Sequence, residues 1–157
     1  MKKLFFWFDK LIRALLLILT VSLVVVGFAQ IFTRYVLKTP LPWSEEMLRF
    51  LFIYTTFVGV PIGVMEGRHA TVDLLLQKIP ARFKRGYTLV LHSLMGIVFA
   101  VMLIWGAQYA AINTGQLSGA MRIPMCYVLA SVPIGGGVGL VYWVKHMADI
   151  WKGEVEK

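Results

Sequence analysis

Charge is scarce in this sequence, and scarcest in long stretches. Asp, Glu, Lys and Arg make up 15% of its 157 residues, against about 25% in soluble domains, while 59% of the residues are hydrophobic. No charged residue occurs from Ala14 to Thr33, from Phe50 to Met65, or across the 36 residues from Gly86 to Met121, with His counted as neutral. A chain this apolar, with a mean hydropathy of +0.74, cannot be a soluble domain. Cysteine is nearly absent as well. Cys126 stands alone, which excludes an internal disulfide, a CxxC pair and a thiolate metal cluster. No nucleophile–base pair or metal-ligand spacing is visible, so an enzyme is not expected. Internal repeats are also missing, which argues against an inverted-repeat transporter.

What remains is enough apolar sequence for four membrane spans of about 20 residues each. The expected architecture is an all-α integral membrane protein, a single membrane domain over residues 1–157. Its spans are expected at about 11–32, 44–65, 80–112 and 125–144. The N-terminal run exceeds the 7–15 apolar residues of a secretory signal, so a retained first span is expected, with Arg13 snorkelling to the interface. Between the second and third spans, Val72, Leu75, Leu76 and Ile79 recur at helical spacing among Asp73 and Lys78. Thr71 is a suitable cap, and an amphipathic helix over 71–79 is expected to lie on the membrane surface up to Pro80.

The net charge of +8 is read through its distribution rather than as a nucleic-acid signal. Twelve basic residues fall on one side of the four spans: Lys2, Lys3, Lys10 and Arg13, then Arg68, Lys78, Arg82, Lys84 and Arg85, then Lys145, Lys152 and Lys157. Arg34, Lys38, Arg49 and Arg122 make four on the other. Basic residues collect on the cytoplasmic side, so both termini are expected there.

The segment "LPWSEEMLRF" sets Glu45, Glu46 and Arg49 at the start of the second span, where charge beside lipid is costly. Ser44 suits an N-cap, acids in the first turn complement the helix dipole, and Trp43 suits the headgroup level. Glu45 and Arg49 are four residues apart and can pair along one face, and Arg49 is expected to pair with Glu45 or Glu46. Arg49 lies a full turn deeper than the acids, so it is expected to face a partner protein or a lipid headgroup rather than acyl chains. In the fourth span, Gly135 and Gly139 have the GxxxG spacing that lets helices approach closely, within the bundle or toward a partner, and Pro133 is expected to bend the helix there. Gln30, Gln108 and Ser131 are the main polar residues within the spans, suited to hydrogen bonding between helices. A membrane cytochrome needs histidines facing each other across helices. His69, His92 and His146 fall toward one side with no pair at matched depth on two spans, so haem or metal binding is not expected.

The stretch "RYVLKTPLPWSEEMLRFLFIYTTFVGVPIGVMEGRHATVDLL" resembles the small membrane subunit of tripartite ATP-independent periplasmic (TRAP) transporters, the DctQ family. Arg34, Pro42, Trp43, Ser44, Glu45, Glu46, Arg49, Gly67, His69, Val72 and Asp73 carry the resemblance, with "VPIG" in the fourth span extending it. Pro61, inside the second span, departs from it. The resemblance implies two partners, a large membrane subunit holding the substrate and sodium sites and a periplasmic substrate-binding protein. It implies a bracing role for this chain in uptake of C4-dicarboxylates, sialic acid or other sugar acids. Contacts with partner or lipid are expected from Arg34, Trp43, Ser44, Glu45, Glu46, Arg49, His69, Asp73, Arg122, Gly135 and Gly139. No cofactor of its own is expected, beyond a bound phospholipid. The competing reading is a self-sufficient small four-helix transporter, whose distinguishing mark, an acid at mid-membrane, is missing.

Overall fold

The computed structural model describes residues 2–65 and 81–151, with side chains over 5–63 and 90–148. Three long helices come first: α1 (Lys2–Tyr35), α2 (Pro42–Met65) and α3 (Ala81–Ile112). A 3₁₀ turn at Asn113–Gly115 leads to the short α4 (Met125–Leu129) and then α5 (Ser131–Trp151). Four segments are long and apolar enough to cross a membrane, α4 and α5 together forming the fourth. Strands are absent among the described residues. The surface helix expected over 71–79, together with His69 and Asp73, lies outside them.

Several helix boundaries follow from local chemistry. The 34 residues of α1 span roughly 50 Å at 1.5 Å per residue, more than the about 30 Å of a hydrocarbon core. Its charge-free middle therefore crosses, and Asp9, Arg13 and Arg34 fall at the two boundaries. Arg13 does not simply snorkel: its Nε donates to Asp9 Oδ2 at 2.8 Å, one turn away. Helix α2 starts two residues before the expected cap, because Pro42 has no N–H to leave unsatisfied and a φ already set for the first turn. Ser44 is consequently not the N-cap. It is buried, and both its N–H (3.1 Å) and its hydroxyl (2.8 Å) donate to the Leu41 carbonyl.

The fourth span is two helices rather than one bent helix. Pro133 cannot donate to the Leu129 carbonyl and its ring crowds that group, so α4 stops there. Ser131 closes the break: its buried hydroxyl donates to the Val128 carbonyl at 2.7 Å, and Ala130 N–H donates to Cys126 O at 2.9 Å. The Tyr54 hydroxyl of α2 donates to the Tyr127 carbonyl and fixes the short helix against its neighbour.

Packing places α5 at the centre. It contacts α2 on one side and α3 on the other, and α1 packs on α2. In the most apolar window of the fourth span, α4 and α5 together, 39% of residues are buried, against 6% in that of α1. Glycines make the close approach possible. A Cβ on Gly135 would lie 2.3 Å from the Phe57 carbonyl oxygen, and one on Gly136 would lie 2.7 Å from Leu103 N. One on Gly139 would meet the buried Phe99 ring at 2.4 Å. Both GxxxG glycines are thus spent inside the bundle, Gly135 on α2 and Gly139 on α3. Pro61 explains part of this arrangement. Helix α2 runs through it, and its missing N–H deprives Phe57 O of its intrahelical donor. That carbonyl is the one Gly135 lies against.

Candidate functional site

The first turns of α2 direct Glu46 across to the loop between the third and fourth spans. Glu46 accepts four hydrogen bonds from it. Gly119 N–H donates to Oε1 at 2.8 Å. Ala120 N–H at 3.1 Å, Met121 N–H at 2.7 Å and Ser118 Oγ at 3.1 Å donate to Oε2. Three successive amides converging on one carboxylate form an anion-binding nest. The loop is already braced for this: Ser118 N–H donates to Ile123 O at 2.9 Å, Met125 N–H donates to Gln116 O at 2.7 Å, and the buried Ser118 hydroxyl accepts Ile123 N–H at 3.1 Å. The result is a tight hairpin latched to α2 and tipped by Arg122, which is exposed and held at φ 53°. L-residues other than Asn or Asp rarely take that conformation. The helix dipole favours an acid near residue 46, but it does not supply this partner.

Around the latch lie the remaining charges. Glu45 and Arg49 are both exposed and do not pair, contrary to expectation, because Glu46 is occupied by the loop and no ion pair joins the other two among the described residues. Trp43 is 42% exposed at the same level, as an interfacial indole would be. Arg34 and Lys38, at the end of α1 and in the loop after it, line a cleft of about 410 Å³ with Gln30, Pro40, Pro42 and Glu45. Gly135 and Gly139 are not part of this group, being buried against α2 and α3.

The opposite end of the bundle carries two clusters that spacing alone does not reveal. Tyr142 of α5 donates its hydroxyl to Asp9 Oδ1 at 2.6 Å, completing an Asp9–Arg13–Tyr142 tie across 133 residues. Phe5 packs edge-on to Tyr142 with ring centroids 5.4 Å apart, and Lys145 Nζ sits 4.0 Å from the Phe5 ring centre. Nearby, Trp143 Nε1 donates to the His92 carbonyl at 2.7 Å across the missing side chain of Gly96. His92 and His146 stack at 4.7 Å and 9°, which corrects the expectation that no two histidines share a depth on two spans. Parallel stacked rings do not aim their nitrogens at a common ion. No group of three or more candidate metal ligands occurs among the described residues.

Comparison with known proteins identifies the frame in which these features act. The family model for the DctQ component of tripartite ATP-independent periplasmic transporters matches residues 23–153. The sialic acid TRAP transporter small permease protein SiaQ of Vibrio cholerae is 29% identical over 107 residues, 68% of this chain and 62% of the relative. The sialic acid TRAP transporter permease protein SiaT of Haemophilus influenzae is 24% identical over 106 residues, 68% of this chain but 17% of SiaT. The isethionate TRAP transporter permease protein DctMQ of Oleidesulfovibrio alaskensis is 23% identical over 109 residues, again 17% of its length. The chain thus spans less than two thirds of SiaQ and corresponds to one segment of two much longer permeases. It belongs to the DctQ component family of TRAP transporters, and is a multi-pass inner-membrane transporter subunit, not an enzyme.

Proposed function

We propose that this chain is the scaffold subunit of a sodium-driven, binding-protein-dependent TRAP transporter for carboxylates. It braces a large permease subunit that carries the substrate and sodium sites. The observation that carries this reading is where the acids stand. Asp9, Glu45 and Glu46 lie at span ends, and the charge-free middle of each span offers no carboxylate to couple an ion. Asp9 and Glu46 are further committed to holding the chain's own helices and loop together. Fusion of the matching segment into longer permeases such as SiaT and DctMQ supports a large membrane partner in fixed contact with it.

In this arrangement Glu45 and Arg49, exposed and unpaired on the face of α2, are the groups that meet the large subunit or a lipid headgroup. Arg122, at the tip of the latched hairpin, faces the periplasm and shares in docking the substrate-binding protein. Both termini are cytoplasmic in this reading, which the distribution of basic residues supports. A carboxylate substrate rests on the sialic acid transporters among the relatives; the isethionate relative names a sulfonate, so an organic anion is the wider class.

Reconstitution in liposomes with a sodium gradient and purified binding protein tests the reading. Uptake is expected only when the large subunit is present. Substrate accumulation by the small chain alone overturns the scaffold role in favour of a self-sufficient small transporter.

A further inference from the structure

The fourth span breaks between two parts that are held in different ways. On the far side of the break, α5 is seated on its neighbours at backbone distance. A Cβ on Gly136 would lie 2.7 Å from Leu103 N and 2.9 Å from Phe99 O of α3, and Gly135 lies against the Phe57 carbonyl of α2. Val58 and Val138 are buried along the same face. Packing this close cannot loosen without opening a void, so this part of the span is fixed.

On the near side, the hairpin and α4 form a cap held mainly by side chains. Helix α4 packs on α3 as well as on α2. Among the described residues, however, every side-chain hydrogen bond between the cap and another helix involves α2. They are the four that Glu46 accepts and the one that Tyr54 donates to the Tyr127 carbonyl. Gly119 and Ala120 are exposed, so water competes for their bonds to Glu46, and such bonds open more readily than buried packing. Between cap and seat lies a joint. Pro133 has no N–H for the Leu129 carbonyl, and only the Ser131 hydroxyl on Val128 O (2.7 Å) and Ala130 N–H on Cys126 O (2.9 Å) close the gap. Hinges form where a few residues at element ends absorb a change in φ and ψ, and a proline break supplies them. At the cap's other attachment, the 3₁₀ turn, a Cβ on Gly115 would meet nothing within 4 Å. That pivot is unobstructed.

We propose that the hairpin and α4 are a hinged cap, latched to α2 by Glu46 and Tyr54. The cap turns as one piece about residues 130–133 while α1, α2, α3 and α5 keep their packing. Opening the latch does not unravel the hairpin, because its own bonds, Ser118 with Ile123 and Gln116 with Met125, lie within the cap. Arg122 therefore remains at a shaped tip, carried on an arm that swings. What the swing serves rests on the docking role proposed above: the tip follows a periplasmic partner without disturbing the helices that brace the large subunit. The hinge itself belongs to the isolated chain.

Electron–electron double resonance on the full chain in lipid nanodiscs tests it, with Cys126→Ser removing the native thiol. Spin labels on Leu117→Cys and Val144→Cys report the cap against the far end of α5. Labels on Phe52→Cys and Val144→Cys report α2 against the same reference, and all three positions are exposed. With Glu46→Ala and Tyr54→Phe together, the distances from 117 to 144 should split into two populations. Those from 52 to 144 should keep the single population of the parent. Adding Pro133→Ala restores the missing N–H and should return the 117–144 pair to a single population. An unsplit 117–144 distribution in the latch variant overturns the hinge, because packing alone then holds the cap. Splitting of both pairs overturns it too, since the whole bundle has then loosened. So does splitting that survives Pro133→Ala, which places the motion elsewhere. If the triple variant does not fold, the two pairs in the latch variant decide alone. These distances are read without partner or substrate, so failure of the scaffold reading in liposomes leaves them unaffected.

Discussion

Gly135 offers the sharpest test of the packing, because its neighbour is backbone. A methyl group there would sit 2.3 Å from the Phe57 carbonyl oxygen and 2.9 Å from its carbon. Ordinary van der Waals contact needs about 1 Å more, and a helix backbone cannot rotate aside as a side chain does. Helices α2 and α5 would have to separate along a face where Val58 is fully buried and Val138 nearly so. Overpacking of this kind costs about 1–3 kcal/mol, and the upper end applies to a backbone clash. The Gly→Ala gain in helix propensity returns about 1 kcal/mol, leaving Gly135→Ala roughly 2 kcal/mol less stable than the parent. Gly137 is the control. A Cβ there meets only Leu103 Cδ1, at 3.8 Å. Gly137→Ala keeps the propensity gain without a clash and should be neutral or slightly stabilising. In a chain of this size the two variants should differ by about 6–12 °C in thermal unfolding, from about 3 kcal/mol at 2–4 °C each. Equal melting temperatures would refute the register of α2 against α5, and with it the pairing of Gly135 with the carbonyl that Pro61 frees.

The latch, the cross-bundle tie, the topology and the α2 face each yield one further measurement. Glu46→Ala should release the 118–123 hairpin, read as faster hydrogen exchange at the amides of Gly119, Ala120 and Met121 and as tryptic cleavage after Arg122; unchanged protection would mean the loop needs no carboxylate. Tyr142→Phe should cost about 1 kcal/mol by removing the hydrogen bond to Asp9, and a variant as stable as the parent would mean that this hydrogen bond adds nothing to the packing of Tyr142 against Phe5 and Phe8. In a Cys126→Ser background, a cysteine at position 117 should react with an impermeant reagent in intact cells and one at position 78 should not, the reverse pattern inverting the orientation. Arg49→Ala should lower recovery of the large subunit on co-purification, or lower uptake, and no change in either would confine Arg49 to the start of the helix.

Much of this molecule was written locally. Charge-free runs of membrane length placed the four spans, since a polar backbone in lipid must close its hydrogen bonds within a helix and side-chain charge must stay outside. The Pro-Trp-Ser-Glu-Glu run marked a charged helix start because its chemistry acts within a turn or two. The same locality explains what the residues did not disclose. Glu46 reads as a helix-dipole acid until its four donors, 72 to 75 residues away, close on it. Arg49 reads as the partner of Glu45 at i,i+4 spacing, yet spacing permits a pair without enforcing it, and among the described residues the two stay apart. Pro61 reads as an anomaly in α2, and becomes intelligible only with Gly135 lying against the Phe57 carbonyl that the proline leaves free. His92 and His146 have no common period, because their meeting depends on how α5 is set against α3 and on the space Gly96 leaves for Trp143. Sequence pattern therefore determined which segments enter the membrane and where the charges collect, both being matters of transfer from water. Which charge holds which loop, and which glycine faces which carbonyl, depended on the relative placement of helices, and only the tertiary structure decides that.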